Sequence, residues 1–273
     1  MVRGPSGCTP QLSRIDARLV AGCSGILEQM REPKDRLCVA LDVPALGEAE
    51  SLVRELSDSV GMFKIGLELY SAAGPRAVER VRELGGRVFL DLKFHDIPNT
   101  VSRAARVVTR LGAAFFNIHT SGGSAMLRAT TDAVADEAVK AGIEKPGVLG
   151  VTVLTSVPAA VLHDELAVSR ELTEHVIALA RLAQDCGLTG VVASAQEARM
   201  VRNACGAAFT IVAPGIRQRG GNLADQRRVT TPAEALALGA DYIVVGRPIL
   251  DAPDRAAACR AIVDELAGSL QHA

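Results

Sequence analysis

Val88-Phe89-Leu90-Asp91-Leu92-Lys93-Phe94-His95-Asp96 is the stretch on which the fold turns. Three apolar residues run directly into alternating charge. Strands of a parallel sheet are covered on both faces and read as continuous apolar runs, so charge at the end of such a run marks the point where the strand leaves the core. The same texture recurs on either side. Residues 37–41 precede Asp42, residues 62–65 carry Lys64, and residues 114–118 precede His119. Residues 148–153 lead into Leu154-Thr155-Ser156, residues 190–193 form a sixth run, residues 210–213 precede Pro214-Gly215-Ile216-Arg217, and residues 242–245 precede Gly246-Arg247. Between them lie segments of helical period, among them residues 48–56, 75–84, 101–111, 172–186 and 233–238. Eight strand–helix units predict an α/β fold, a (β/α)8 TIM barrel. The competing doubly wound sheet would place a G-x-G-x-x-G turn after its first strand; Leu41-Asp42-Val43-Pro44 stands there instead.

Composition narrows the function. The 273 residues suit one large domain, and 48% of them are apolar, ample for its core. A net charge of −1 gives no bulk attraction to nucleic acid or anionic membrane, so any nucleotide must be held by a local site. Residues 1–10 lack the apolar core of an export signal, and no apolar run reaches the ~18 residues of a membrane span. The six cysteines include no C-x-x-C pair or zinc spacing and read as small buried hydrophobes. The expectation is a cytoplasmic protein with no membrane or nucleic-acid partner. Residues 1–34 are read as an N-terminal extension, partly helical over residues 11–31, and residues 35–273 as a single barrel domain.

In a barrel the active site lies at the C-terminal ends of the strands. Asp42, Lys64, Asp91 and Lys93 end or approach the ends of the first three strands, and strand alternation points Asp91 and Lys93 the same way. Charges withdrawn from water need partners of opposite sign, and two aspartates with two lysines supply them. A salt-bridge network closing the barrel end is the structural alternative. His95 and His119 read as hydrogen-bonded structural histidines or as acid–base groups, with no H-E-x-x-H pattern to make them metal ligands. Carboxylates at such a mouth can bind Mg²⁺, but the two lysines compete with a divalent cation.

The loops after strands seven and eight, where many barrels hold phosphate, carry Arg217, Arg219, Gly220, Gly221, Gly246 and Arg247. Arginine binds phosphate through paired, charge-assisted hydrogen bonds. The polar stretch 218–225, with two adjacent glycines, is a candidate lid. No G-x-x-x-x-G-K-[ST] loop for ATP-type phosphoryl transfer is found.

Asp91-Leu92-Lys93-Phe94-His95-Asp96-Ile97-Pro98-Asn99-Thr100 resembles the D-x-K-x-x-D-I-P signature of the orotidine 5′-phosphate decarboxylase family. The resemblance runs from about residue 37 to residue 249 and takes in Ala40-Leu41-Asp42, Phe63-Lys64-Ile65-Gly66, Leu154-Thr155-Ser156, Ala213-Pro214-Gly215-Ile216-Arg217, Asp225-Gln226 and Val244-Val245-Gly246-Arg247. It implies a barrel that converts orotidine 5′-monophosphate to uridine 5′-monophosphate and CO₂ with no metal or organic cofactor. It implies Lys93 as proton donor to the pyrimidine C6, with Asp91 beside the departing carboxylate. Lys64 and Asp42 then bind ribose hydroxyls and complete the charge array. Asp96, with Ile97 and Thr100, is implied to reach the partner's site in a homodimer. Thr155 and Gln226 are implied to contact base or phosphate, and Arg217, Gly246 and Arg247 to hold phosphate. Two other readings compete with it: a Mg²⁺-dependent sugar-phosphate decarboxylase or aldolase on the same barrel, and a non-catalytic nucleotide-binding barrel.

Overall fold

The computed structural model describes residues 32–217 and 230–270. The expected helix over residues 11–31, the candidate lid, Arg219 and Gln226 lie outside the described residues. Among the described residues, eight parallel strands close into a barrel in sequence order. They are β1 (Leu37–Ala40), β2 (Met62–Ile65), β3 (Val88–Phe94), β4 (Phe115–His119), β5 (Gly147–Val151), β6 (Gly190–Val192), β7 (Thr210–Ala213) and β8 (Tyr242–Val245). β8 pairs back onto β1, with Leu37 opposite Ile243. The helices crossing between strands include α1 (Leu46–Leu56), α2 (Leu67–Ala73), α3 (Pro75–Glu83), α4 (Pro98–Leu111), α5 (Gly123–Ala141), α6 (Ala159–Asp164), α7 (Leu172–Asp185), α8 (Ala195–Cys205) and α9 (Pro232–Ala237). The short α10 (Arg247–Leu250) and the closing α11 (Arg255–Leu270) follow β8. No described helix is long and apolar enough to cross a membrane.

Alternation along each strand sorts the apolar residues into two cores. Leu37, Val39, Phe63, Ile65, Leu90 and Phe116 face outward and pack under the helices. Cys38, Ala40, Met62, Phe89, Phe115 and Tyr242 face inward and fill the barrel. There Phe115 meets both Phe89 and Tyr242 edge-to-face, with ring centroids 6.4 and 5.4 Å apart, a favoured aromatic geometry. The floor is tight: a Cβ on Gly147 would come within 2.4 Å of the Phe115 ring. The four described cysteines, Cys38, Cys186, Cys205 and Cys259, are buried and unpaired, as expected of small hydrophobes.

α4 illustrates how a helix is set. Pro98 at its first turn has no N–H to leave unsatisfied, and Gly112 caps its end in the left-handed region at φ 71°. Val101, Ala105, Val108 and Thr109 form its buried face. The residue before a proline is pushed toward extended backbone, and Ile97 has ψ 150°. That turns the chain from β3 into an exposed loop before the helix begins.

Candidate active site

The inward positions of β2, β3 and β4 form a polar layer directly above an apolar one. Met62, Phe89 and Phe115 lie below, and Lys64, Asp91 and Asn117 stand two residues further along the same strands. Lys64 donates to Asp42 Oδ1 at 3.0 Å and lies 3.6 Å from Asp91 Oδ2. Lys93 Nζ donates to Asp91 Oδ1 at 2.6 Å. The four charges therefore alternate in sign along one chain, Asp42, Lys64, Asp91, Lys93, at the C-terminal mouth, where the sequence reading put them. Gly66 leaves room for this chain, since a Cβ there would stand 2.8 Å from Lys64 Nζ.

Burial pushes the Asp91 carboxyl up, but Lys64, Lys93 and the hydrogen bonds from Lys93 and Asn117 outweigh it and hold the group below its ordinary range. Burial likewise opposes charge on Lys64, and Asp91 and Asp42 overcome it, raising the ammonium above its usual value. Beneath the array, burial pushes the Cys38 thiol up to about 12, which leaves it unreactive at neutral pH. The His95 and His119 rings lie 5.3 Å apart, tilted by 33°. Burial, then His95 and Lys93, hold His119 below its usual value.

Strand alternation alone does not bring Lys93 to Asp91. Leu90 pairs with Phe116 and Phe94 with Ile118, so β3 advances four residues while β4 advances two. The surplus is taken up in a bulge, where Lys93 has a left-handed backbone with φ 52°. Asn117, fully buried, spans the bulge: its Nδ2 donates to Asp91 Oδ1 at 2.6 Å, and its Oδ1 accepts from the Lys93 backbone N–H at 2.7 Å. Asn117 lies within the apolar run 114–118 and has no role in the sequence pattern. An amide inside an apolar strand was the available signal, because a buried amide must find partners.

The other expected residues among those described fall into four groups. Thr155 shares a cleft of about 180 Å³ with Asp91, Lys93, Ser156 and Pro214. Arg247 shares a second cleft, of about 560 Å³, with Asp42 and Ser51, and a Cβ on Gly246 would lie 3.5 Å from Asp42 Oδ2. Arg217 is buried, its backbone N–H bonded to Thr230 O at 3.1 Å. Asp96, Ile97 and Thr100 are exposed on the loop after β3 and the first turn of α4, and Ile97 is 65% exposed. Asp96 Oδ1 accepts from the Ile97 N–H at 2.6 Å. Among the described residues, no group of three or more His, Cys, Asp or Glu is placed to hold a metal ion.

Residues 35–262 match the model of the orotidine 5′-phosphate decarboxylase / HUMPS family. The chain belongs to this family. It is 54% identical over 233 residues to an orotidine 5′-phosphate decarboxylase of Moorella thermoacetica, covering 85% of this chain and 92% of the relative. It is 46% identical to the enzyme of that name from Syntrophomonas wolfei, covering 86% of this chain and 99% of the relative. The crystal structure of orotidine 5′-phosphate decarboxylase from Lactobacillus acidophilus is similar with a TM-score of 0.75 at 35% identity, covering 84% of this chain and 98% of that one.

Proposed function

We propose that this chain is a carboxy-lyase that converts orotidine 5′-monophosphate to uridine 5′-monophosphate and CO₂, the last step of de novo pyrimidine nucleotide synthesis, with Lys93 as proton donor. The observation that carries the reading is the contact of Lys93 Nζ with Asp91 Oδ1 at 2.6 Å, in a chain of this family. When the bond from C6 to the carboxylate breaks, its electron pair stays on C6, where the pyrimidine ring delocalises it poorly. A fixed ammonium aimed at that carbon stabilises the developing charge, and one of its protons completes the product. Asp91 orients the ammonium and faces the departing carboxylate. Lys64 balances the second Asp91 oxygen and, with Asp42, binds the ribose.

Phosphate binding at Arg217, Gly246 and Arg247, with Thr155 and Gln226 on the base or phosphate side, positions the ring far from the phosphate itself. That Arg247 shares a cleft with Asp42 supports a ribose phosphate lying across the mouth. Asp96, Ile97 and Thr100 serve the neighbouring site of a homodimer. Their exposure on the loop after β3 and the first turn of the helix that follows, outside their own charge array, supports that assignment. The scheme uses no metal or organic cofactor, since the Lys93 ammonium supplies the stabilising charge and the proton. Residues 35–273 form the catalytic domain in the cytoplasm and residues 1–34 precede it as an extension, in keeping with a family match that starts at residue 35.

The test is a spectrophotometric assay on orotidine 5′-monophosphate with and without EDTA. Turnover undiminished by EDTA is expected. No turnover of this substrate overturns the reading. Turnover abolished by chelation favours the Mg²⁺-dependent chemistry of a related barrel enzyme.

A further inference from the structure

We infer that Asn117 is a positioning residue for the reaction, acting through Asp91 and Lys93 rather than by touching substrate. The inference rests on the decarboxylase reading above. Its amide orientation is unambiguous: an ionised carboxylate only accepts and a backbone N–H only donates, so Nδ2 must face Asp91 and Oδ1 must face Lys93. Each bond constrains a different part of the pair. The bond to Asp91 Oδ1 fixes the rotation of the carboxylate, so that Lys93 meets the same oxygen and Lys64 approaches the other. The bond from the Lys93 N–H serves a peptide in the bulge, where β3 and β4 have lost register.

A left-handed backbone is strained for a residue with a Cβ, so Lys93 at φ 52° needs such a restraint. Without it the chain relaxes toward regular strand geometry and carries the ammonium away from Asp91. Asn117 is itself held by β4, which pairs with β5 at Asn117–Leu149, and its side chain stands above Phe115 in the filled barrel. The rigid floor of the barrel is thereby coupled to the orientation of the ammonium.

Three measurements test this. Asn117→Asp keeps the shape and the acceptor for the Lys93 N–H but loses the donor to Asp91 and adds a like charge. Its kcat is expected to fall about 100-fold, the scale of a small misplacement at a reacting centre, with KM within about threefold of wild type. Protonation of the new carboxyl restores one donor and one acceptor, so the ratio of variant to wild-type kcat is expected to rise as pH falls. A merely structural role would leave that ratio flat. Asn117→Ala, checked for folding by circular dichroism, is expected to lose at least as much kcat. In the wild type, the Lys93 amide is expected to be protected from hydrogen exchange.

An unprotected Lys93 amide overturns the inference whether or not the variants fold. So does a pH-independent ratio for Asn117→Asp, or a folded Asn117→Ala with wild-type kcat. Failure of the wild type to decarboxylate the substrate counts against the decarboxylase reading instead, and amide exchange then decides whether Asn117 restrains Lys93.

Discussion

Lys64 Nζ stands 3.6 Å from Asp91 Oδ2, on the oxygen that Lys93 does not bind. The pair is withdrawn from solvent, with side-chain exposures of 11% and 14%. Asp91 keeps Lys93 and Asn117 when Lys64 is removed, so Lys64→Met is expected to lower stability by about 2 kcal/mol at neutral pH, less than the cost of a fully unpaired buried charge. The sign of the pH dependence follows from Asp91, whose carboxyl lies below its usual 3.8 in the fold. Its contribution is present above that value and is lost as pH falls through the lower folded value. The gap between wild type and variant in urea unfolding should therefore narrow with acidification. For Lys64, raised above 10.5, the contribution is full below that pH and fades as pH climbs past it. A gap that is absent at pH 7 or widens in acid would show that the pair is not coupled in this way.

His119 supplies a second pH test. Burial, His95 and Lys93 hold its imidazole below the usual 6.5, with Asp91 pulling weakly the other way. A depressed histidine contributes stability that is fully present above about 6.5 and is lost as pH falls toward the folded value, because the unfolded chain takes up the proton first. Wild type is expected to lose more unfolding free energy between about pH 8 and pH 5.5 than His119→Asn does. Parallel losses in the two proteins would remove His119 as the cause.

Arg247 lines the same cleft as Asp42, away from Lys93. A group that binds a remote phosphate acts mainly on substrate affinity, so Arg247→Ala is expected to raise KM about tenfold or more with a smaller change in kcat. Steady-state kinetics across substrate concentration measure both. A wild-type KM would take the phosphate away from this arginine.

The proposed sharing of sites has its own signature. Asp96→Ala and Lys93→Ala are each expected to be inactive while folded. If the two residues of one site come from different subunits, a mixed dimer of the variants holds one site with both residues intact. Unfolding and refolding an equal mixture should then recover about one quarter of wild-type activity, from random pairing in a two-fold dimer. A mixture as inactive as its components, or a monomer by light scattering, would refute the shared site.

The barrel was legible because its strands are buried on both faces and so read as apolar runs, each ending where the chain reaches the mouth. Residues 62–65, 210–213 and 242–245 have the bounds expected of them. The charges followed from the same logic: Asp42, Lys64, Asp91 and Lys93 stand at strand ends, and strand ends share one face of a barrel. Residues 88–90 were expected as the third strand, but β3 continues to Phe94 through a bulge that hydrophobic pattern does not encode. Alternation put Lys93 on the right side for an incomplete reason, since its backbone is left-handed and its N–H is held by a residue on another strand. The sequence by itself thus determined the barrel, the face that bears the site and the identity of its charges, because burial and local period are properties of the chain in order. Only the tertiary structure decided which oxygen each lysine takes and that Asn117 restrains the bulge. Apart from Lys93 with Asp91, two positions away, those contacts join residues distant in the chain, such as Asp91 and Asn117 at a separation of 26, and depend on the register between neighbouring strands.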